Sequence, residues 1–242
     1  MRLDLHNHTW YSHDGNLSPR ALLETAAGRG VDCLGVTDHE SLRGGAECAA
    51  LSDADTTLPR VIPGQEITTA VGEVIGFCLA EEVPPGLSVD ETVRRIHAQG
   101  GVAYLPHPYD RYRRSTILPE WREHAAALCD VIEVGNGRTM RPAFDRQALA
   151  LAGRTGRRLG AGSDAHYAAE VGRVFLDIPA EVGRGFLAAT HLSDRDRLLE
   201  VLRVARPGNV AARTAVAVRW TSLLRSAAQK RVQRGVAVRR TG

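Results

Sequence analysis

At 242 residues, with 43% apolar and 24% charged side chains, the chain has room for one sizeable domain with a full core and the composition of a soluble globular protein. No run of about 18 apolar residues occurs, so no membrane-spanning helix is expected, and because Met1-Arg2 leads straight into an apolar segment no signal peptide is expected either. The net charge of +3 hides a split: from Arg203 onward lie ten basic residues and no acidic one, while residues 1–202 hold 21 basic groups against 28 acidic ones, so the acidic body needs metals to receive an anionic substrate.

The predicted elements alternate along the chain. Arg2–His6 reads as a first strand, and Ser18 caps a helix that Pro19 opens and that runs through Arg29, with Gly30 just past its end. Strands follow at Cys33–Thr37, Arg60–Gly64 and Val74–Leu79; the last two are too close for an intervening helix, so their connection is irregular or antiparallel. Ser88-Val89-Asp90-Glu91 is a capping box for a helix ending at Gly100-Gly101. Next come a strand at Val102–Leu105, a helix over Pro119–Cys129, a strand at Val131–Val134, a helix over Phe144–Thr155 and a strand at Arg158–Gly162. Several strands are continuous apolar runs, as buried parallel strands are.

Seven strands with interleaved helices predict an α/β fold, a distorted seven-stranded (β/α)7 TIM-like barrel over residues 1–206 with a C-terminal helical extension. Ser193 caps a further predicted helix to about Arg206, with Leu198, Leu199, Val201 and Leu202 inward. Residues 207–242 read as a basic amphipathic helix, Val210 to about Arg234, and a frayed tail. Its stripe of Val216, Trp220, Leu223, Leu224 and Ala227 either packs on the barrel or meets anionic lipid or nucleic acid. The four cysteines (Cys33, Cys48, Cys78, Cys129) form no Cys-x-x-Cys and read as reduced core residues, consistent with the cytoplasm.

The chemistry gathers at strand ends. His6/His8, Asp38/His39, Glu66, His107, Glu133/Asn136 and Asp164/His166 all fall there, where barrels keep their active groups. His6 and His8, two apart on a strand, share a face, as do Asp164 and His166. A lone His-x-His has an ordinary structural reading, and Thr37-Asp38-His39 alone could be a capped helix start; a whole set at strand ends fits neither. Imidazoles mixed with carboxylates suit Zn, Mn or Fe. Eight such residues (His6, His8, Asp14, His39, Glu66, His107, Asp164, His166) exceed the four ligands of one tetrahedral zinc, which predicts two or three divalent metal ions sharing a bridging carboxylate.

His6-Asn7-His8, Ser12-His13-Asp14-Gly15, Thr37-Asp38-His39, Gly64-Gln65-Glu66-Ile67, Pro106-His107-Pro108 and Ser163-Asp164-Ala165-His166 span residues 1 to about 180. In order and approximate spacing they resemble the motifs of the PHP (polymerase and histidinol phosphatase) family of metal-dependent phosphoesterases. The resemblance implies the distorted seven-stranded barrel and three metal positions. His6, His8, Glu66 and Asp164 would hold the first; Glu66 would bridge to the second, which also uses His107; Asp14, His39 and His166 would hold the third. Many members carry another histidine between the equivalents of Glu66 and His107. Here Gly72-Glu73-Val74-Ile75-Gly76 stands in that place, and His97 lies on a predicted helix beside Arg94 and Arg95. The second position is then weak, completed by water, or served by Glu73.

The expected reaction is hydrolysis of a phosphomonoester or short nucleotide by a metal-bound hydroxide at a di- or trinuclear site, the ions about 3.5–4 Å apart. Glu66, Asp164, His166 and Arg138 are the expected catalytic residues, and Arg138, Arg111 and Asn136 the expected substrate-binding ones. Arg138 and Arg111 are favoured over Arg113 and Arg114 as phosphate clamps. Asp38 is expected to orient a ligating imidazole. His13 reads as a solvated loop residue or a partner of the leaving group, and His124 and His191 as surface residues. Nucleic acid as a partner and the oligomeric state stay open. Two rival readings are a non-catalytic regulatory domain with a depleted metal site and an amidohydrolase-type C–N hydrolase. The latter typically uses a carbamylated lysine, whereas the only lysine here is Lys230.

Overall fold

The computed structural model describes residues 1–189, 192 and 194–208. Ser193, His191 and the helix expected from Val210 lie outside the described residues. All seven predicted strands are present: β1 (Arg2–Asp4), β2 (Cys33–His39), β3 (Arg60–Thr69), β4 (Gly72–Phe77), β5 (Val102–Leu105), β6 (Val131–Asn136) and β7 (Arg158–Gly162). Two short strands, β8 (Leu176–Asp177) and β9 (Arg206–Pro207), join them in one nine-stranded sheet of order β7-β6-β5-β4-β3-β2-β1-β8-β9. The sheet therefore has nine strands rather than seven, because a two-residue strand leaves no periodic signal to read. Beyond β1 the chain meets β7 and its extension. The Leu5 N–H donates to Ala161 O (3.1 Å), the Asp164 N–H to His6 O (2.7 Å) and the His8 N–H to Ala165 O (2.9 Å), so the sheet is a nearly closed barrel.

β1, β2 and β3 run parallel, as do β5, β6 and β7, while β4 is antiparallel to both neighbours. Only Ala70 and Val71 separate β3 from β4, a link long enough for a hairpin and too short for a parallel crossover. β3 continues past the expected end at Gly64 and pairs His39 of β2 with Glu66, which brings two predicted ligands level with each other.

Seven helices cover the sheet among the described residues: α1 (Pro19–Gly28), α2 (Arg43–Ala54), α3 (Val89–Ala98), α4 (Arg122–Leu128), α5 (Pro142–Thr155), α6 (Ala180–Leu187) and α7 (Arg195–Arg203). The Ser18 and Ser88 caps form, accepting from the N–H groups of Ala21 and Glu91, each at 3.2 Å. Glu91 turns its carboxylate to Arg94 and Arg95 instead of completing the capping box. α2 escapes sequence reading because Gly44 and Gly45 depress its propensity and Leu42 offers no side-chain cap. Gly44 is needed there: a Cβ would sit 1.8 Å from Asp38 Oδ2. α7 is capped by Asp194, which accepts from the Arg197 N–H at 3.0 Å. It stops at Arg203 rather than Arg206, since Arg206 and Pro207 pair with β8.

Leu3, Leu5, Ile62, Ile75, Phe77 and Tyr104 fill the barrel, joined by Phe186 of α6 and Leu198, Val201 and Leu202 of α7. Helices α1 and α2 cover Leu34, Val36 and Val61, and α3 to α5 cover Val74, Ala103, Leu105 and Ile132. Among the described residues no helix is long and apolar enough to cross a membrane.

Candidate metal centre

Glu66 is the hub of the barrel mouth. Its Oε2 lies 3.3 Å from the Nε2 atoms of His6 and His8 and 3.4 Å from His39 Nδ1, and its Oε1 lies 3.3 Å from His107 Nε2. Asp164 Oδ1 is 3.5 Å from both His8 Nε2 and His166 Nδ1, and 3.8 Å from His6 Nε2. Asp14 faces His166 Nε2 at 3.1 Å and His39 Nε2 at 3.7 Å. All eight residues singled out from sequence thus converge, although they are drawn from segments up to 160 positions apart.

Hydrogen bonds behind the imidazoles fix how they face inward. Ser12 Oγ donates to Asp38 Oδ1 (2.9 Å), so it must accept from His8 Nδ1 (3.0 Å), which leaves the lone pair of His8 on Nε2. Asp38 is also held by the Thr9 N–H and hydroxyl, at 2.6 and 2.7 Å. It therefore orients His8 through Ser12, not His39 directly. Glu133 plays the matching part for His6, facing His6 Nδ1 at 3.0 Å so that Nε2 is again the inward lone pair. The same carboxylate accepts from Tyr104 Oη (3.0 Å), the His107 N–H (2.7 Å) and Asn136 Nδ2 (2.9 Å). His107 and Asp164 both adopt left-handed backbone, φ 30° and 52°. Such conformations cost about 1–3 kcal/mol in non-glycine residues and persist where surrounding bonds over-determine them, as the Glu133 and His6 O contacts do here.

The charges are interlocked. Burial opposes ionisation of His6, yet Asp164, Glu66 and Glu133 hold its imidazole well above the usual range. Burial likewise resists charge on Asp164, but Arg113 and His6 keep it well below the ordinary carboxylate range. Burial would lift Asp14, and the neighbouring His166 and His39 hold it down instead. His39, unlike His6, is lowered, its burial taking it to about 3. The proton this cluster draws onto His6 sits on the inward Nε2, the atom whose lone pair a metal ion would take in its place.

A cavity of about 300 Å³ opens onto this cluster, lined by His13, Asp14, His39, Glu66, Glu73 and Asp164, with Tyr112, Arg113, Arg114, Ser115, Arg138 and His166. Arg138 lines this cavity, its Nη1 2.9 Å from His166 Nδ1. Asn136 is buried, bridging Glu133 and Asp164. Arg111 does not reach the cavity: its guanidinium lies over the Tyr112 and Phe144 rings, 5.8 and 5.9 Å from their centroids. The cavity arginines after β5 are instead Arg113, bound to Asp164, Asp110 and Asn136, and the exposed Arg114. His13 is exposed at the rim. His97 and His124 bond Asp130 and Asp90, away from the centre. Sequence reasoning did not assign a role to Ser12, Tyr104 or Glu133; only the contacts across the barrel reveal one.

The donor set fits divalent ions. His8 Nε2 and Asp14 Oδ1 are buried atoms without a hydrogen-bond partner, both inside the cluster. Four groups (His6, His8, Asp164; His8, His39, His166; His13, Asp14, His39; and His39, Glu66, Glu73) each present donor atoms within 4.8 Å of one another. Imidazoles oriented from behind, with carboxylates between them, are what transition-metal sites use.

The fold and the convergent His/Asp/Glu cluster define a barrel protein equipped to hold metals at its mouth. Residues 4–151 match the PHP domain family, and residues 142–207 match a family described as PHP-associated; the chain belongs to the PHP domain family. It is similar to two uncharacterized proteins of Methanocaldococcus jannaschii. It is 34% identical to MJ0417 over 180 residues (73% of this chain, 70% of the relative) and 40% identical to MJ1587 over 119 residues (45% and 68%). Among solved structures, a two-domain protein from Bacteroides vulgatus, described as containing a predicted PHP-like metal-dependent phosphoesterase, superposes with a TM-score of 0.67 at 19% identity. That match covers 86% of this chain and 64% of the other. Endonuclease Q in complex with a 27-mer duplex bearing an abasic lesion gives 0.53 at 13% identity, covering 78% and 57%. These likenesses establish a shared fold.

Proposed function

We propose that the protein is a metal-dependent phosphoesterase that hydrolyses a phosphomonoester or short nucleotide at a di- or trinuclear centre. The observation that carries this reading is the convergence of five imidazoles and three carboxylates around Glu66, with buried donor atoms left unpartnered. His6, His8, Glu66 and Asp164 would hold one ion, Glu66 and His107 a second, and Asp14, His39 and His166 a third. Bound ions of this kind supply Lewis acidity and an activated water for attack on phosphorus. Asp38 through Ser12, and Glu133 directly, keep the Nε2 lone pairs of His8 and His6 turned to the cavity. Arg138 and Arg114, on the cavity wall, would grip the phosphoryl oxygens, a role in which Arg114 replaces the Arg111 favoured from sequence. Arg113 holds Asp164 in place.

Endonuclease Q shares the fold and is bound to DNA in its structure, which supports testing oligonucleotides alongside small esters. The absence of lysine outside position 230 counts against a carbamylated-lysine C–N hydrolase. The test is a metal-supplemented screen across phosphomonoesters, cyclic nucleotides and short oligonucleotides, run with wild type and Glu66→Gln. Turnover that is lost on chelation, restored by Mn²⁺ or Zn²⁺ and abolished in the variant is expected. Metal-replete protein that binds ions but turns over none of these substrates would favour a regulatory role.

A further inference from the structure

Position 73 lies on β4, where the side chains alternate: Ile75 and Phe77 fill the barrel while Val74 packs outward under the helices. Glu73 therefore points inward, level with Thr68 and one step from the pair formed by Ile75 and Glu66. Its Oε1 is 3.6 Å from His39 Nδ1, its Oε2 is 3.7 Å from His107 Nε2, and the residue is 5% exposed. Glu66, only 1% exposed, faces the same two imidazoles. The Glu73 N–H donates to Ser115 O (2.9 Å), and the Arg113 guanidinium on the same cavity wall is already engaged by Asp164, Asp110 and Asn136. Two buried carboxylates across a few ångströms repel unless a proton or a cation lies between them.

We propose that Glu73 is a direct ligand of the second cation, completing with Glu66 and His107 a position that the motif histidines alone leave short of donors. This rests on the reading that the centre holds divalent ions. Two carboxylates and one imidazole make this position harder than the one built on His6, His8, Glu66 and Asp164, where two imidazoles share the ion with two carboxylates. It should accept Mn²⁺ more readily relative to Zn²⁺.

The test is metal content after dialysis, with calorimetric titration of Mn²⁺ and Zn²⁺, on wild type, Glu73→Gln and Glu73→His, each checked for folding by circular dichroism. Glu73→Gln is expected to lose about one equivalent of Mn²⁺, or to bind it at least about tenfold more weakly. Glu73→His, which restores a nitrogen donor, is expected to retain Zn²⁺ loading and to raise the Zn²⁺:Mn²⁺ affinity ratio about tenfold. Wild-type loading and affinity in Glu73→Gln would overturn the proposal. So would an unchanged metal ratio in Glu73→His, the result expected if Glu73 only braces His39 and His107. Should Glu73→Gln fail to fold, the ratio in Glu73→His decides alone. Wild-type protein that takes up no ion at all would instead defeat the underlying metalloenzyme reading.

Discussion

Replacing Glu133 by Gln separates the stability of the barrel from the readiness of its mouth. Oε2 accepts from the His107 backbone N–H at 2.7 Å and from Asn136 Nδ2 at 2.9 Å, while Oε1 faces His6 Nδ1 and Tyr104 Oη at 3.0 Å each. A glutamine amide must put its NH₂ on one side. The Oε2 side cannot adapt, because a backbone N–H cannot reverse and Asn136 is pinned through Oδ1 by the Arg138 N–H and Arg113 Nη2. The Oε1 side can: the Tyr104 hydroxyl rotates to accept, and His6 gives up its Nδ1 proton so that Nδ1 accepts and the ring's remaining proton is the one on Nε2. Hydrogen bonding is largely conserved, so the folding cost in EDTA is about 1–3 kcal/mol, from lost charge-assisted bonds. His6 Nε2 then carries a proton where a lone pair is required. Mn²⁺ affinity is expected to fall at least about 10–100-fold, or about 1.4–2.8 kcal/mol. Urea unfolding in EDTA and calorimetric Mn²⁺ titration measure the two effects separately. Tyr104→Phe is the control: it removes one neutral donor, costs about 1 kcal/mol and leaves the His6 tautomer and metal affinity intact. Glu133→Gln protein that binds Mn²⁺ as tightly as wild type would refute the tautomer argument.

Other outcomes follow from contacts away from the ligands. Asp130 accepts from Arg195 Nη2 (2.7 Å), the Ala103 N–H (2.9 Å) and His97, tying α7 to the sheet; Asp130→Ala should cost about 2–3 kcal/mol in urea unfolding at pH 7. Burial opposes ionisation there, but Arg195 and the Ala103 N–H prevail and lower the Asp130 carboxyl in the folded state. Its stabilisation is therefore full above about pH 4 and fades as pH falls through the folded value, so the mutant and wild-type curves should converge in acid. Gly44→Ala places a Cβ against Asp38 Oδ2 and Thr9 Oγ1 (1.8 and 2.4 Å); a loss of at least about 1–3 kcal/mol and weaker metal binding are expected, and wild-type values for both would contradict the Asp38–Ser12–His8 chain. All four cysteines are buried, and burial raises their thiols, Cys78 to about 12; folded protein at pH 8 should leave them unlabelled by a thiol reagent within minutes, and urea should release all four.

Legible in residue order alone are the strands that carry long apolar runs, the Ser18 and Ser88 caps, the short link after β3 and the identity of the eight cluster residues. Each of these is written in local patterning or in a residue type at a strand end. The sequence did not reveal α2, whose two glycines serve a close approach to Asp38 rather than helix propensity, nor β8 and β9, whose two residues apiece pair only because distant segments meet. It placed Arg111 at the mouth, whereas Tyr112 and Phe144 draw that guanidinium aside and leave Arg113 and Arg114 on the cavity wall. The roles of Glu133, Ser12 and Tyr104 belong to the tertiary structure alone. A ligand must be an imidazole or a carboxylate and is legible as such, but what turns its lone pair inward is a hydrogen bond that it donates to a residue over a hundred positions away, as His6 does to Glu133.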